Sequence, residues 1–371
     1  MKILIITSSY PSTPSDSINA GVFVRDFAKT LMKTGHKVDV LTPKKGKGNY
    51  DNEVKTYYFW WLGKETSLTY LKFWNPIDIL KALSLFISGI FNGLFLCAKT
   101  RYDHIISMWA VPSGLIAWIL NIFTGIPYSV WCLGSDVWEM KKIPFGRTIL
   151  KGIIKNSKRV FADGYELKND IEKISKRECL FLPSSRVLPE PEKIDLAVDK
   201  TNFLFIGRFH KNKGPDILLQ AIVLLPGEKK KKSKFYIFGD GPMRDFIHDF
   251  VKKNKLDGLV ELKGYADAIT ASSYLHSCDA IIIPSRIESI PVILSDAAQA
   301  KIPVIATDVG DMGETVKKFR CGIVVEVAPE SVKEGIEEFF ERKKEEFLEG
   351  LERLRREFSI ENSVEKLLKE I

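Results

Sequence analysis

The chain has 371 residues, of which 45% are hydrophobic and 27% are charged, a balance that excludes a disordered chain and indicates two folded domains. Its five cysteines lie far apart and include no Cys-x-x-Cys pair, which argues against a disulfide framework or a zinc site and is typical of a reducing compartment. The net charge of +8 favours an anionic partner: nucleic acid, an acidic lipid surface or a phosphorylated small molecule.

The first half of the chain alternates between strand and helix patterns. It opens with an apolar run at 2–7, which is too short for the hydrophobic region of a secretory signal and is predicted to be a buried strand. A helix is predicted over 21–34, where Val24, Phe27 and Leu31 share one face. Further strands are predicted at 37–41, 54–59, 103–108, 128–132, 159–162 and 179–182, with a helix at 112–123.

The stretch 82–98 carries no charge and is at the lower edge of membrane-spanning length, which is roughly 17–25 residues. Gly89, Asn92 and Gly93 interrupt it, and a strand pattern follows at 103–108. We therefore expect a helix packed in an α/β layer, with contact with a membrane as the alternative.

A proline-containing stretch at 183–200 breaks the rhythm, and we place the linker between the domains there. The second half then repeats the rhythm up to a charged helical tail. Both halves are predicted to be doubly wound, Rossmann-like α/β domains that face each other across a cleft. The predicted boundaries are 1–185, 186–350 and 351–371, the last being a C-terminal helix for which a return to the first domain is one option.

The second half carries predicted strands, helices and one basic loop in regular order. The strands are at 202–206, 235–238, 260–262, 280–284 and 304–307; the helices are at 215–225, 243–254, 269–276 and 291–300; the basic loop is at 229–234.

Cations follow the first strand of the second half. Gly207 and Arg208 end the strand at 202–206, and Lys213 precedes the next helix. Arginine can hold two phosphate oxygens and lysine acts as a point charge, so this loop is a candidate grip for a diphosphate. A solvated basic loop is the alternative.

Glycines mark two further loops. The strand at 235–238 ends in Gly239 and Gly241, whose bare backbone suits a flat or phosphorylated ligand, with a tight turn as the alternative. In the first half, Gly21 before a helix would let backbone N–H groups approach an anion, with a plain loop as the alternative.

Two carboxylates follow the strand at 280–284. Glu288 precedes a predicted helix whose first turn Pro291 opens, and Asp296 lies inside that helix. Free N–H groups of the first turn can hold a phosphate and carboxylates can hold hydroxyl groups, which points to a sugar nucleotide. The alternative is that Glu288 caps the helix and Asp296 faces water.

Taken in order, these motifs resemble the donor-binding domain of retaining GT-B glycosyltransferases of family four, the glycosyltransferases group one set. The likeness rests on Gly207-Arg208…Lys213-Gly214…Asp216, Gly239-Asp240-Gly241-Pro242, Pro284-Ser285…Glu288-Ser289-Ile290-Pro291…Asp296 and Pro303-Val304-Ile305-Ala306-Thr307…Gly310…Glu314. The resemblance implies a catalytic set of Arg208, Lys213 and Glu288. It implies donor-binding residues at Gly21, Gly207, Gly239, Gly241, Ser289, Ile290, Pro291 and Asp296.

The first half resembles the same family more weakly, through the segments 21–25, 109–114 and 134–137. The resemblance places Arg25, Trp109 and Asp136 on the acceptor side. The departures from the family pattern are Met108 and Leu133, where the family often has histidine; Asp296, where it usually has glutamate; and Asp311, where it has the second glycine of a pair.

The resemblance implies transfer with retention of anomeric configuration. Arg208, Lys213 and helix N-termini would stabilise the departing diphosphate. No Asp-x-Asp occurs in the sequence and its five histidines show no ligand spacing, so we expect neither a metal nor another cofactor.

The predicted function is therefore a cytoplasmic glycosyltransferase that moves a sugar from a nucleotide-diphosphate sugar to a glycan or lipid-linked acceptor. The resemblance implies surface polysaccharide or lipopolysaccharide assembly as the pathway. The alternatives are a sugar-nucleotide epimerase of the same fold and a non-catalytic donor-binding or membrane-scaffold protein. A nucleic-acid binder is the weakest of the alternatives, and nucleic acid is not expected as a partner, because no aromatic residues interleave the basic run at 229–232.

Aromatic residues suggest a second surface in the first half. Trp60-Trp61 and Phe73-Trp74 lie close in sequence to the uncharged stretch 82–98. Tryptophan favours membrane interfaces, and a basic chain attracts anionic lipid. Peripheral attachment to the cytoplasmic membrane face is a further hypothesis, with burial in the domain core as its alternative.

Overall fold

The computed structural model describes residues 1–11, 21–45, 53–64, 71 and 74–371. These residues form two compact units, one of residues 1–184 with 360–371 and the other of residues 185–359. Most of the loop predicted before Gly21, at 12–20, lies outside the described residues, and so does Phe73.

The first unit is built on a parallel sheet whose strands follow the order β3-β2-β1-β4-β5-β6-β7. Its central strands are apolar on both faces, as parallel sheets covered by helices require. The strands are β1 (Lys2–Thr7), β2 (Lys37–Pro43), β3 (Lys55–Phe59), β4 (His104–Met108), β5 (Tyr128–Cys132), β6 (Val160–Ala162) and β7 (Leu180–Phe181).

Helices cover both faces of this sheet. One core cluster joins the sheet to α2, α3, α5 and α6, and a second joins it to α1 and α15. The helices are α1 (Val22–Lys33), α2 (Pro76–Lys99), α3 (Leu115–Thr124), α4 (Ser135–Trp138), α5 (Gly146–Asn156), α6 (Tyr165–Ser175) and α15 (Ile360–Glu370). The helix predicted at 112–123 starts later, at Leu115, after a turn in which Val111 is extended and the Gly114 N–H donates to the Trp109 carbonyl at 3.0 Å.

The second unit has a parallel sheet in the order β10-β9-β8-β11-β12-β13, which is the strand order of the Rossmann fold counted from β8. Its strands are β8 (Thr201–Ile206), β9 (Ser233–Phe238), β10 (Val260–Gly264), β11 (Ala280–Ile283), β12 (Val304–Thr307) and β13 (Gly322–Val325). Its helices are α7 (Pro215–Leu224), α8 (Gly227–Lys231), α9 (Arg244–Lys253), α10 (Ala268–Ser277), α11 (Val292–Gln299), α12 (Gly310–Phe319), α13 (Pro329–Glu341) and α14 (Glu345–Glu357).

The predicted basic loop at 229–234 is wrong in detail. Residues up to Lys231 belong to α8, and β9 begins at the buried Ser233. Three of the five lysines at 229–234 have a carboxylate partner: Lys229 lies 2.8 Å from Glu341, Lys231 lies 3.0 Å from Glu228 and Lys234 lies 3.7 Å from Glu261. Glutamate carboxylates therefore offset much of the positive charge of these lysines.

The segment 351–371 is not one helix. It contains the end of α14, which belongs to the second unit, and all of α15, which belongs to the first. Within the first unit, the Ser363 hydroxyl of α15 donates to the Pro183 carbonyl at 3.0 Å. Arg159 and Glu370 form an ion pair at 2.6 Å.

The fold-class prediction of two doubly wound α/β domains is confirmed by the two sheets. In each sheet the strand order reverses beside the first strand, between β1 and β4 and between β8 and β11. Open parallel sheets bind ligands outside the carboxyl ends of the strands at such a reversal. The loops that follow β8 and β11 are therefore the candidate donor site.

Candidate donor site at the reversal of the second sheet

The loops after β8 and β11 are held together by their backbones. The Arg286 N–H donates to the Asn212 carbonyl at 2.7 Å. Gly214 has a φ of +66°, and a Cβ there would lie 1.9 Å from the Pro284 carbonyl oxygen. Only glycine allows the backbone to turn this way so close to the end of β11.

An ion pair joins two of the predicted catalytic residues across these loops. Lys213 precedes α7, Glu288 follows β11, and the Lys213 Nζ contacts Glu288 Oε2. Both side chains are partly exposed, so they remain within reach of a ligand. Arg208, the third predicted catalytic residue, is exposed in the same loop as Lys213.

A second ion pair braces the same loops and was not anticipated from the sequence. The two terminal nitrogens of Arg286 each donate to one oxygen of Asp216 at 2.7 Å, and Arg286 Nη1 also donates to the Lys211 carbonyl at 2.8 Å. The hydrogen bonds to Asp216 raise the pKa of the guanidinium above its usual value. This bidentate pair fixes the loop that carries Lys213 against the loop that carries Glu288.

Gly239 and Gly241, two of the predicted donor-binding residues, let the loop after β9 pack closely against the loop after β8. A Cβ at Gly239 would lie 2.1 Å from the Gly207 carbonyl oxygen, and one at Gly241 would lie 2.7 Å from the Phe209 carbonyl oxygen. The Phe209 N–H also donates to the Asp240 carbonyl at 2.9 Å. The loop after β9 is thereby joined to the loop that holds Arg208.

The remaining donor-binding candidates follow Glu288. The Ser289 hydroxyl donates to Asp311 at 3.2 Å, and Ile290 is buried. Pro291 is the N-cap residue of α11 rather than part of its first turn, and it makes no side-chain cap bond. Glu288 pairs with Lys213 instead of capping the helix, so the capping alternative is wrong.

Asp296 lies inside the second unit and is paired with an arginine. Its carboxylate is fully buried, at 0% exposure, so the alternative that it faces water is wrong. Arg186 Nε lies 3.1 Å from each carboxylate oxygen, and Arg186 Nη2 lies 2.6 Å from Oδ2. Gln299 also bonds the chain near Arg186, since its Nε2 donates to the Arg186 carbonyl at 2.8 Å. Asp296 thus anchors the segment that opens the second unit, and its predicted role in donor binding stays a prediction.

The acceptor-side candidates lie where the strand order of the first sheet reverses. Trp109 directly follows β4 with a φ of 71°, a strained backbone for a residue with a side chain. Its ring lies 5.8 Å from the Phe23 ring, and its N–H donates to the Trp131 carbonyl at 2.9 Å. The ring contact with Phe23 and the hydrogen bond to Trp131 therefore hold the loop that follows β4 in place.

Asp136 joins the loops after β4 and β5. It accepts hydrogen bonds from the Ala110 N–H at 2.5 Å and from the Leu133 N–H at 3.1 Å. Burial raises the pKa of its carboxyl to about 6, although these N–H groups oppose the rise. Its role in the structure is to organise the two loops, and an acceptor contact stays a prediction.

Gly21 and Arg25 lie at the start of α1. Gly21 is the N-cap residue, and a Cβ there would lie 2.7 Å from Tyr10 Cα, so the site admits only glycine without a backbone shift. Arg25 forms an ion pair with its neighbour Asp26 at 3.0 Å. A donor contact for Gly21 and an acceptor contact for Arg25 stay predictions.

Within the residues that the structure describes, no three His, Cys, Asp or Glu side chains are grouped so that they could hold a metal ion. Two arginines of this region were not predicted from the sequence. Arg186 forms an ion pair with Asp296, and Arg286 forms one with Asp216. Their only signal in the sequence is their charge.

Known proteins resemble this chain in sequence. Residues 189–356, which span most of the second unit, match the family model of glycosyl transferases group 1. An uncharacterised glycosyltransferase of Methanocaldococcus jannaschii is 29% identical over 287 residues, which cover 77% of this chain and 78% of that protein.

Solved structures share the fold over the whole chain. A sucrose-phosphate synthase from Thermosynechococcus elongatus has a TM-score of 0.77 at 18% identity and covers 100% of this chain and 98% of its own. Anabaena HepE in complex with UDP has a TM-score of 0.74 at 14% identity, with 100% and 99% covered. WaaG, a glycosyltransferase involved in lipopolysaccharide biosynthesis, has a TM-score of 0.67 at 15% identity, with 99% and 98% covered. The chain is therefore a glycosyltransferase, and its match to the glycosyl transferases group 1 model lies within the second unit.

Proposed function

We propose that the chain transfers a sugar, with retention of anomeric configuration, from a nucleotide-diphosphate sugar to a glycan or lipid-linked acceptor in surface polysaccharide or lipopolysaccharide assembly. The observation that carries the proposal is the pairing of Lys213 and Glu288 at the reversal of the second sheet. Support for the donor class comes from HepE, which binds UDP, and support for the pathway comes from WaaG, which acts in lipopolysaccharide biosynthesis.

The proposed chemistry follows from the charges of the site. Cleavage of the bond between sugar and diphosphate places negative charge on the leaving group. Arg208 and Lys213 would stabilise that charge, and a diphosphate oxygen would compete with Glu288 for the Lys213 ammonium. Glu288 would then accept hydrogen bonds from hydroxyl groups of the donor sugar.

The braces around these residues support this chemistry. The Arg286–Asp216 pair and the backbone contact at Gly214 hold the two loops in place before any ligand binds. Preformed cationic groups stabilise a developing charge without the cost of reorganising at the moment of reaction. We propose that the transfer needs no metal ion.

The experiment that tests the function follows the product by NMR. The full chain is incubated with UDP-, GDP- and ADP-sugars and with candidate lipid-linked and glycan acceptors, in EDTA and in magnesium. We expect a new glycosidic bond with the anomeric configuration of the donor, formed equally in both buffers. An inverted product would overturn retention, dependence on magnesium would overturn the metal-free route, and an epimerised donor with no glycoside would overturn transfer.

A further inference from the structure

The outward side of α2 presents an unbroken apolar ridge. Every fourth residue along it is large and apolar, and each is between 42% and 71% exposed: Ile79, Leu83, Ile87, Phe91 and Phe95. Sixteen residues separate the first from the last, so the ridge is about 24 Å long. An exposed patch of this kind on a folded unit marks an interaction surface.

The opposite side of α2 is already used by the fold. Leu85 and Leu96 are buried, and Gly89 and Gly93 lie against α3, where a Cβ would come within 2.7 Å and 2.8 Å of side-chain atoms of that helix. By length and composition alone, α2 could cross a membrane. Because one side packs on α3 and the sheet, the outward ridge is the side of α2 that the described residues leave available to a partner.

The polar side chains of α2 are satisfied within the helix. The Ser84 hydroxyl donates to the Lys81 carbonyl at 2.7 Å, and the Asn92 amide donates to the Ser88 carbonyl at 2.8 Å. At the far end, the Lys99 ammonium lies 4.2 Å from the centre of the Phe95 ring. The Ser84 hydroxyl and the Asn92 amide are therefore hydrogen-bonded before α2 meets an apolar medium. The Lys99 ammonium, at the end of the helix, can reach water.

Neighbouring segments extend the patch with further apolar and aromatic residues. Ile122 and Phe123 are exposed at the end of α3, which packs against α2, and Trp74 is exposed just before α2. The predicted aromatic cluster divides here, because Trp60 is exposed whereas Trp61 is buried in the core. Exposed tryptophans at the edge of an apolar patch are typical of a membrane interface.

A row of cations lies on the same helical layer. Arg147, Lys151 and Lys155 are exposed at every fourth position of α5, and the structure pairs none of them with a described carboxylate. The row belongs to the layer of α2 and α3, because a Cβ at Gly152 of α5 would lie 2.7 Å from the Trp118 ring of α3. Such a row attracts anionic headgroups.

We propose that the outward ridge of α2, with the exposed end of α3 and the basic row of α5, docks on the surface of an anionic phospholipid bilayer. The ridge enters the boundary between headgroups and acyl chains, and the basic row contacts the headgroups. Lipid is favoured over a second copy of the chain, because a symmetric contact through this face would bring two basic rows to one interface. The inference does not rest on the donor site.

Sedimentation of the full chain with vesicles tests the proposal. Phosphatidylcholine vesicles with and without phosphatidylglycerol are compared at low and high salt. We expect binding only with phosphatidylglycerol and weaker binding at high salt. Ile87→Ser/Phe91→Ser should weaken binding at least tenfold, and Arg147→Gln/Lys151→Gln/Lys155→Gln should weaken it by a similar factor.

Matched variants of the second unit control for loss of surface hydrophobicity and charge. Phe246→Ser/Ile269→Ser and Lys252→Gln/Lys253→Gln replace exposed residues and should bind vesicles as the unaltered chain does. Thermal melting of every variant checks the fold. The proposal is overturned if the unaltered chain ignores anionic vesicles at low salt, or if the α2 double variant binds them equally well. A dimer that Ile87→Ser/Phe91→Ser dissociates, without vesicle binding, would instead assign the ridge to a second copy.

Discussion

Lys213 and Glu288 are 75 residues apart in the chain and form an ion pair at the carboxyl ends of two adjacent strands. The contact exists because β8 and β11 are neighbours in the sheet and because glycine at 214 lets the loop approach Pro284. The cation that we propose for the leaving diphosphate and the carboxylate that we propose for the sugar hydroxyls are thereby placed together. The two side chains are expected to act as one functional unit.

Removing either cation should slow transfer far more than it destabilises the fold. We expect Arg208→Ala and Lys213→Ala each to lower kcat/KM by a factor on the order of 100, because an electrostatic contact with the leaving group is lost. Steady-state kinetics with saturating acceptor measures the effect. Lys252→Ala, an exposed lysine of α9, is the control and should leave kcat/KM unchanged. Near-normal rates for both site variants would remove these residues from the mechanism.

Glu288→Gln keeps the size of the side chain and removes its charge. A hydrogen bond to a charged acceptor contributes about 1.5–3 kcal/mol, so we expect kcat to fall roughly 10- to 100-fold. Single-turnover kinetics separates this effect from donor binding. Glu334→Gln, an exposed glutamate of α13, provides the comparison. An unchanged chemical step in Glu288→Gln would show that the carboxylate only positions Lys213.

The Arg186–Asp296 ion pair should stabilise the folded state of the second unit. Replacing Asp296 by Asn leaves the guanidinium without its charged partner in a buried setting, and we expect a loss of about 3 kcal/mol in the free energy of unfolding. Urea denaturation measures this loss. The double variant Arg186→Met/Asp296→Leu should recover most of it, because no unpaired charge remains.

An exposed ion pair of the same unit provides the comparison for the loss of stability in Asp296→Asn. Lys317 and Asp308 lie 2.5 Å apart with the lysine side chain 56% exposed, so Lys317→Met should change the free energy of unfolding by less than about 1 kcal/mol. If Asp296→Asn has an equally small effect on stability and instead weakens donor binding, the carboxylate contacts the donor and the anchoring role is secondary.

His104 should make the first unit less stable in acid. It is buried between β4 and β5, with Nε2 2.9 Å from the Ser129 hydroxyl oxygen. Burial and, to a lesser extent, the charge of Lys158 lower its pKa from 6.5 to about 4. Between these two values the unfolded chain binds a proton that the folded chain does not, so stability falls as pH falls from 6.5 towards 4.

His104→Gln isolates this effect. The difference in free energy of unfolding between the unaltered chain and the variant should shrink by on the order of 2–3 kcal/mol between pH 7 and pH 4. The variant is needed because Asp136, with its pKa raised to about 6, changes stability in the opposite direction over the same range. A difference that stays constant with pH would mean that His104 titrates normally.

The order of strands and helices was predictable because it depends on local patterns. Apolar runs such as Ile3–Ile6 and the glycines and prolines that follow strands mark where each element ends. Helix α5 was missed, although Leu150, Ile153 and Ile154 give it an apolar face, because its lysines suggest a solvated loop. In α12, four glycine or acidic residues in the first five obscure the helical signal.

The contents of the site were predictable only in part. Arg208, Lys213 and Glu288 could be named because each follows a strand end in a recognisable order. The pairs Arg286–Asp216 and Arg186–Asp296 could not, because residues 70 and 110 positions apart meet only through the sheet order and the path of the chain. The burial of Asp296, which excludes the alternative that it faces water, was unpredictable for the same reason.

The central claim is that the loops after β8 and β11 bind a nucleotide-diphosphate sugar through Lys213. Its most direct test is a thermal-shift screen of the unaltered chain and Lys213→Ala against UDP-, GDP- and ADP-sugars. At about 100 times the Kd, a donor should stabilise the unaltered chain by about 2.7 kcal/mol, or roughly 5–10 °C in Tm, and should shift Lys213→Ala much less. No shift with any of the three donor classes, or equal shifts for both proteins, would contradict the account.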